Sequence, residues 1–266
     1  MIRITYVTIT YNAASVLQRT LDSVLSQDYP DILHLIIDGA STDDTMQLVD
    51  AYIDRSNAAD NGHSIQVTSE PDKGIYDAMN KGLRSITGDY VCFLNAGDFL
   101  PSSDTVTRIV EKVNFQSSIF NFQSSNALPA VLYGDTDIVD GEGRFLHHRR
   151  LAPPEQLSWK SFRQGMLVCH QAFYARADFA IATPYDLRYR YSADVDWCIR
   201  VMKAAAKENV PLFNLKMVVA CYTQEGQTTL HHRESLLERY HVMEHHYGRL
   251  QTFFLHCWFA LRSLLK

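Results

Sequence analysis

The chain has 266 residues, of which 46% are hydrophobic, and a formal net charge of -5. This length accommodates one large α/β domain or two small ones, and the apolar fraction excludes a disordered chain. The acidic balance argues against nucleic-acid binding dominated by phosphate contacts. Five cysteines without metal-ligand spacing, no cleavable leader and no run of roughly 18 apolar residues lead us to expect a cytoplasmic protein.

The first hundred residues alternate between strand and helix patterns. We expect strands over residues 2–10, 33–37, 65–69 and 90–94, and helices over 15–27, 42–54 and 75–85, the first capped by Ser15. Residues 54–64 have the composition of a polar loop. The alternation predicts an α/β fold with a doubly wound sheet and short loops.

Polar clusters follow each of the four predicted strands. They are Thr10-Tyr11-Asn12, Asp38-Gly39, Glu70-Pro71-Asp72 and Asn95-Ala96-Gly97-Asp98. Ligands of doubly wound sheets bind outside the carboxyl ends of the strands, so we expect these clusters to meet at one edge. The carboxylate of Asp98 would there face a metal or a phosphate. The pattern suggests an enzyme that acts on a phosphorylated ligand.

The second half is less regular. We expect helices over 105–113 and 194–207, strands over 131–139, 167–174 and 212–222, a polar loop over 116–126 and a helical segment over 231–266. We interpret residues 1–230 as one domain, with a ligand-binding half over 1–100 and an acceptor-binding half over 101–230. Residues 231–266 form a C-terminal helical tail in this interpretation.

Three ordered motifs resemble family 2 glycosyltransferases. They are Thr10-Tyr11-Asn12, the run IIDGASTDDT over 36–45 and the segment 69–98. The similarity is strongest to the bacterial polysaccharide-assembly branch that includes colanic acid biosynthesis enzymes. It is looser at His170-Gln171, Asp194-Val195-Asp196 and Glu225-Gly226-Gln227-Thr228. The resemblance implies a GT-A fold, that is a Rossmann-like mixed sheet, a nucleotide-sugar donor, a divalent metal (Mg²⁺ or Mn²⁺) and an inverting transfer.

The resemblance also implies roles for donor-side residues. The donor-binding set is Thr10, Tyr11 and Asn12 at the base and ribose, Asp38 at the nucleobase, Asp72 and Lys73 in a donor turn, and Asn95 and Ala96 beside the diphosphate. Asp98 matches the last aspartate of the family's metal motif, whereas Asn95 and Gly97 replace acids of that motif. Ordinary alternatives stay open: a helix cap for Asp38, a solvated charge for Lys73 and a structural carboxylate for Asp98.

Inverting transfer needs one general base, and a carboxylate suffices. Asp194 matches the family's base, although Ala193 stands where the family usually has Glu, and its alternative role is a helix cap. We place His170, Gln171 and Asp196 on the acceptor side. A core histidine and a residue that serves the helix dipole are the alternatives for His170 and Asp196. The pairs 147–148 and 231–232 are interpreted as surface histidines, and a second metal ligand is the alternative role for each pair.

The predicted reaction moves a sugar from a UDP- or GDP-sugar to a hydroxyl of a glycan or lipid-linked acceptor in cell-surface polysaccharide synthesis. The aromatic tail suits peripheral contact with the inner face of the membrane, or packing on the domain or a second copy. One rival is a sugar nucleotidyltransferase, although residues 10–15 lack the glycines of its phosphate loop. The other is a non-catalytic glycan-binding protein.

Overall fold

The computed structural model describes residues 1–119, 128–224 and 232–264. Its strands are β1 (Ile4–Thr10), β2 (Ile32–Asp38), β3 (Ser64–Ser69), β4 (Tyr90–Phe93), β5 (Val131–Val139), β6 (Phe145–His148), β7 (Phe173–Arg176) and β8 (Leu212–Thr223). Its helices are α1 (Ala14–Leu25), α2 (Thr45–Ala59), α3 (Ile75–Arg84), α4 (Thr105–Ile119), α5 (Ala177–Ala182), α6 (Ala193–Lys207), α7 (His232–Tyr247) and α8 (Arg249–Leu264).

The strands form one mixed sheet in the order β3-β2-β1-β4-β7-β5-β6, with β8 paired to β5. Strands β3, β2, β1 and β4 run parallel to one another, and β7 runs antiparallel to β4 and β5. The pairing of β5 with β8 is parallel again. The predicted mixed α/β sheet is thus confirmed. Its parallel part carries the ends of β1 to β4 to one edge.

Helices cover both faces of the parallel strands. All seven residues of β2 are buried, as expected for a parallel strand with both faces covered. Ile36 packs with Leu17 of α1 and Tyr52 of α2, whereas Ile37 belongs to the larger core that contains Met79 of α3. Consecutive side chains of β2 therefore enter opposite layers. This double cover makes the strand ends a rigid platform.

Several helix boundaries differ from the sequence-based expectation, and α2, for example, begins at Thr45 and not at residue 42. Ser15 lies inside α1, because the helix begins at Ala14, whose backbone N–H donates to Asp43 Oδ2 at 3.1 Å. Helix α2 continues through Ala59, with Ser56 on its buried face, so most of the predicted loop over 54–64 is helical. Helix α4 likewise includes residues 116–119 of the predicted polar loop. The remainder of that loop lies outside the described residues.

The predicted strand over 167–174 is wrong. A 3₁₀ helix spans His170–Ala172, β7 begins only at Phe173, and α5 follows it without having been predicted. Short apolar runs do not distinguish a strand from other buried backbone. As a result His170 and Gln171 lie on a tight turn at the edge of the sheet and not within a strand.

The C-terminal segment is helical as predicted, in two helices separated at Gly248, whose φ is +86°. Helix α7 packs on the domain through Val242 and Met243, both buried. The proposed boundary at 230/231 lies outside the described residues. Among those that are described, no helix has the length and apolar character that crossing a bilayer requires.

Candidate active site

The ends of β1, β2 and β3 meet around the carboxylate of Asp38. Its oxygens accept hydrogen bonds from Thr10 Oγ1 at 3.0 Å and Ser69 Oγ at 2.7 Å, and from the backbone N–H of Ser41 at 2.9 Å and its hydroxyl at 2.5 Å. Burial by itself would raise the pKa of Asp38, but the hydrogen bonds from Ser41, Ser69 and Thr10 outweigh it and lower the pKa. Asp38 is therefore an ionised brace that joins three strand ends.

This brace bears on the predicted contact between Asp38 and a nucleobase. Asp38 is 0% exposed, and both its oxygens are already engaged with protein donors. A nucleobase N–H would have to join this set. The contact stays a prediction. We call the ends of β1, β2 and β3 around Asp38 the donor corner, after its predicted role, and its exposed part belongs to other residues.

The outer wall of the donor corner consists of Tyr11 and Asp72. Tyr11 is 66% exposed. A Cβ atom placed on Gly39 would lie 2.6 Å from Asp72 Oδ2 and 3.2 Å from Tyr11 Cδ2, so the glycine allows both side chains to approach the end of β2. Asn12 and Ala40 have φ angles of +47° and +61°, which non-glycine residues adopt at some cost. The corner is held in a defined but strained shape.

Local hydrogen bonds organise the turn that carries Lys73. Asp72 Oδ1 accepts the Gly74 N–H at 2.8 Å, and Asp77 Oδ2 accepts the Lys73 N–H at 3.0 Å. Lys73 is exposed. The turn thus leaves the Lys73 residue open to solvent beside the donor corner.

The turn after β4 buries its only carboxylate. Asp98 is 4% exposed, and its oxygens accept from Gln171 Nε2 at 2.6 Å and from the Thr223 N–H at 3.0 Å. Burial raises the pKa of Asp98 to about 6, with the two hydrogen bonds acting against that rise. Gln171 therefore tethers this turn and is 2% exposed.

As placed, Asp98 does not fit a metal ion, because its oxygens face protein donors. Among the residues described, no group of three or more His, Cys, Asp and Glu side chains could hold one. Catalytic Mg²⁺ sites often need only one or two carboxylates plus phosphate oxygens, so a small number of ligands does not by itself exclude a metal. The poor fit follows from the hydrogen bonds that already engage both oxygens of Asp98. Asn95 Oδ1, in the same turn, is buried without a hydrogen-bond partner in the described part of the chain.

The predicted base lies at the centre of a second hydrogen-bonded group. Asp194 Oδ1 accepts from the Tyr76 hydroxyl at 3.2 Å, and Asp194 Oδ2 lies 3.4 Å from His170 Nδ1. His170 Nε2 is 3.1 Å from Asn95 Nδ2. The Asn95 amide nitrogen can only donate, so His170 Nε2 accepts and His170 Nδ1 carries the proton directed at Asp194. His170 thereby joins the turn after β4 to Asp194.

Asp194 is ionised and still reachable. Burial would raise its pKa, but the hydrogen bond from His170, together with the positive charge of Arg239, lowers it. The side chain of Asp194 is 18% exposed to solvent. A carboxylate that is charged at neutral pH and open on one side can accept a proton from a bound hydroxyl.

The remaining predicted acceptor-side residue lies elsewhere. Asp196 is 2% exposed and accepts from Arg200 Nε at 2.6 Å and His246 Nε2 at 2.8 Å, so in this structure it joins α6 to α7. His147 and His148 are exposed, as predicted, whereas the motif 225–228 and the side chains of 231–232 lie outside the described residues. Two residues that act on Asp194 were not predicted: Tyr76, although it lies in the segment 69–98, and Arg239, whose charge reaches Asp194 from a helix outside the motifs.

The sequence from 5 to 179 matches the family model "Glycosyl transferase family 2". The chain belongs to this family. It is therefore a glycosyltransferase, and the predicted family and enzyme class are confirmed. A Mycobacterium bovis "PGL/p-HBAD biosynthesis glycosyltransferase" is 32% identical over 218 residues, which cover 82% of this chain and 75% of the relative. An "Uncharacterized glycosyltransferase" of Mycobacterium tuberculosis is 32% identical over 200 residues, 74% of this chain and 68% of the relative.

Solved glycosyltransferases share the fold. S. aureus TarS 1–349 in complex with UDP-GlcNAc superposes with a TM-score of 0.63 at 15% identity, over 84% of this chain and 59% of that TarS chain. The Pyrobaculum calidifontis mannosyltransferase PcManGT, in complex with GDP-Man and Mn²⁺, gives 0.61 at 19% identity, over 90% of this chain and 63% of that enzyme. The chain thus spans less than two thirds of either. These likenesses confirm the predicted GT-A fold.

Proposed function

We propose that this glycosyltransferase transfers a sugar from a UDP- or GDP-sugar to an acceptor hydroxyl, with inversion and with Asp194 as the base. The observation that carries this proposal is the chain of polar contacts from Asn95 through His170 to Asp194, with distances of 3.1 Å and 3.4 Å. It connects the turn proposed to adjoin the diphosphate with an ionised carboxylate. A leaving group and a base are thus held by one rigid unit.

The reaction needs one displacement. The acceptor oxygen attacks the anomeric carbon while the bond from that carbon to the diphosphate oxygen breaks, and Asp194 takes the acceptor proton. Tyr76 donates to Oδ1 of Asp194, and His170 Nδ1 faces Oδ2 at 3.4 Å, so the two side chains orient the carboxylate. The nucleoside diphosphate leaves with the electron pair. Every step is carried by residues of the chain and the two substrates.

The donor corner supports a nucleoside on its outer wall. We propose that the nucleobase lies against Tyr11, in a corner shaped by Thr10, Asn12 and Asp38. Lys73 neutralises phosphate charge, and Asp72 lies at the ribose or the nucleobase. Asn95 and Ala96 border the diphosphate in this arrangement. The exposure of Tyr11 and Lys73 supports it, as do the UDP-GlcNAc and GDP-Man complexes of the two neighbours. The choice between UDP and GDP is part of the test below.

A divalent ion (Mg²⁺ or Mn²⁺) at Asp98 is a separate proposal, supported by the Mn²⁺ in the PcManGT complex. Asp98 would have to release Gln171 or Thr223 to bind the ion. Calorimetric titration with UDP or GDP, with and without Mn²⁺, tests it. Tighter binding with Mn²⁺ that Asp98→Asn abolishes supports the ion, whereas equal binding in both conditions overturns it.

For the acceptor, we propose a glycan or lipid-linked hydroxyl of cell-surface polysaccharide synthesis at the cytoplasmic face of the membrane. Support comes from α8, where an apolar stripe over Leu250, Phe254, Trp258 and Leu261 is 77%, 67%, 54% and 49% exposed. A stripe of this kind beside the exposed Arg249 suits the interface of an anionic bilayer. Cosedimentation with anionic vesicles, lost in Phe254→Ser/Trp258→Ser, is the expected result. Equal sedimentation of both proteins would contradict membrane contact.

The test of the reaction is release of nucleoside diphosphate from UDP- and GDP-sugars by wild type, Asp194→Asn and the exposed control Asp50→Asn. Loss of the base should lower kcat about a thousandfold and leave nucleotide affinity unchanged. Asp50→Asn should match wild type. Full turnover by Asp194→Asn would overturn the base. No turnover by wild type with any donor would favour the non-catalytic alternative, and nothing in the geometry favours a nucleotidyltransferase.

A further inference from the structure

Helix α7 approaches the active site at the segment that leads into α6. The carboxylate of Glu238 accepts three consecutive backbone N–H groups, from Arg190 at its Oε1 and from Tyr191 and Ser192 at its Oε2, each at 2.6 Å. Charge-assisted hydrogen bonds of this length are the stronger ones in proteins. One side chain therefore fixes the backbone immediately before the first turn of α6.

This segment ends two residues before Asp194. Ser192 is the N-cap residue of α6, but its hydroxyl donates to the Ser235 carbonyl of α7 at 3.2 Å. The start of the helix is thus held from outside by α7. Since Asp194 lies in the first turn of α6, a shift of residues 190–192 would move its carboxylate relative to His170.

A second attachment lies two residues beyond Asp194. His246 Nε2 is 2.8 Å from Asp196 Oδ1, and Lys203 Nζ is 2.9 Å from His246 Nδ1. The lysine can only donate, so Nδ1 accepts and Nε2–H donates to Asp196. The cation of Arg239, also on α7, contributes to the low pKa of Asp194. Helix α7 thereby holds the base segment on both sides and adds to its electrostatic field.

We infer that Glu238 is a positioning residue for the sugar transfer, acting on Asp194 through the backbone of residues 190–192. The inference rests on the proposed role of Asp194 as the base. In this inference α7 contributes to catalysis by holding the segment that carries Asp194. Positioning of a reacting group within fractions of an ångström is a large contribution to catalytic rate.

The matched pair for the test is Glu238→Gln and Glu234→Gln. Glu234 is an exposed carboxylate one turn earlier on the same helix. The side-chain amide of Glu238→Gln cannot accept at its nitrogen, so part of the contact with the three N–H groups is lost. Nucleoside diphosphate release should fall about tenfold in kcat, with donor KM and nucleotide affinity within about twofold of wild type. Glu234→Gln should match wild type in all three.

Two outcomes overturn the inference. One is an unchanged kcat for Glu238→Gln, and the other is a loss of nucleotide affinity as large as the loss of kcat, which would indicate a general structural role. If Glu238→Gln does not fold, Glu238→Asp, which keeps the charge on a shorter side chain, is measured in the same way. The double variant Glu238→Gln/Asp194→Asn separates this inference from the proposed function. It should be no slower than Asp194→Asn alone, because Glu238 acts through Asp194. If Asp194→Asn itself retains turnover, the proposed base fails instead.

Discussion

On the predicted donor side, Thr10 and Asp38 end neighbouring strands of one parallel sheet, whereas on the predicted base side Tyr76, His170 and Asp194 come from two helices and a turn. The donor side is therefore part of the core platform, with its carboxylate enclosed. The base side is an assembly of distant segments with its carboxylate partly open. We expect substitutions on the donor side to change stability or nucleotide affinity, and substitutions on the base side to change the transfer rate.

The largest expected effect is on the donor side. Asp38→Ala leaves the hydroxyls of Thr10, Ser41 and Ser69 without their acceptor, and it should lower the free energy of unfolding by about 4 kcal/mol. Urea denaturation measures it, with the exposed Asp50→Ala as the control. A loss within about 1 kcal/mol of that control would show that Asp38 is no brace and would break the comparison.

Asp98, in the turn between the two sides, should make the free energy of unfolding depend on pH, with a total change of about 3 kcal/mol. Burial raises its pKa from 3.8 to about 6, so the native protein keeps a proton that the unfolded chain has already released. The stabilisation from this proton is present below the unfolded pKa and is lost as the pH rises through the folded pKa. A shift of about two units corresponds to about 3 kcal/mol.

Asp98→Asn cannot titrate. Its free energy of unfolding relative to wild type should therefore increase by about 2 kcal/mol between about pH 4 and pH 7, most of the full effect. Denaturation curves at both values check this, and Asp50→Asn should follow wild type throughout. Parallel profiles for Asp98→Asn and wild type would mean that Asp98 is ionised across this range in the native state, as a metal ligand would be.

On the base side, His170→Ala should lower kcat about 30-fold, which corresponds to about 2 kcal/mol of activation free energy. The substitution removes the donor that orients Asp194 and the acceptor of the Asn95 amide. Nucleotide affinity should change little. His147→Ala, on the exposed strand β6, is the control. A defect in nucleotide binding as large as that in kcat would place His170 on the donor side.

The smallest effect is expected at the outer wall. Tyr11→Ala should weaken UDP or GDP binding about tenfold, because an aromatic ring stacked on a base contributes about 1–3 kcal/mol. Tyr11→Phe keeps the ring and should bind as wild type does. Calorimetric titration measures both, and stability should stay unchanged since Tyr11 is largely exposed. Equal affinities for all three proteins would remove Tyr11 from the base-binding surface.

Much of this molecule follows from local sequence. The alternation and the runs of apolar residues predicted the strands of the parallel half. The rule that ligands bind at the carboxyl ends of such strands predicted that Thr10, Asp38 and Asp72 lie in one corner, as the structure shows. The family resemblance rested on the same short segments. The residues 167–174 were misassigned because a short apolar run fits a strand, a 3₁₀ turn or a buried loop equally well.

The sequence by itself thus determined the family, the mixed α/β fold and the candidate base, because each is written in residues adjacent in the chain. Only the tertiary structure showed that both oxygens of Asp98 face protein donors, that His170 joins Asn95 to Asp194, and that Glu238 holds the segment before the base. These contacts join residues separated by tens of positions. No local periodicity encodes them, since they depend on how helices and turns pack around the sheet.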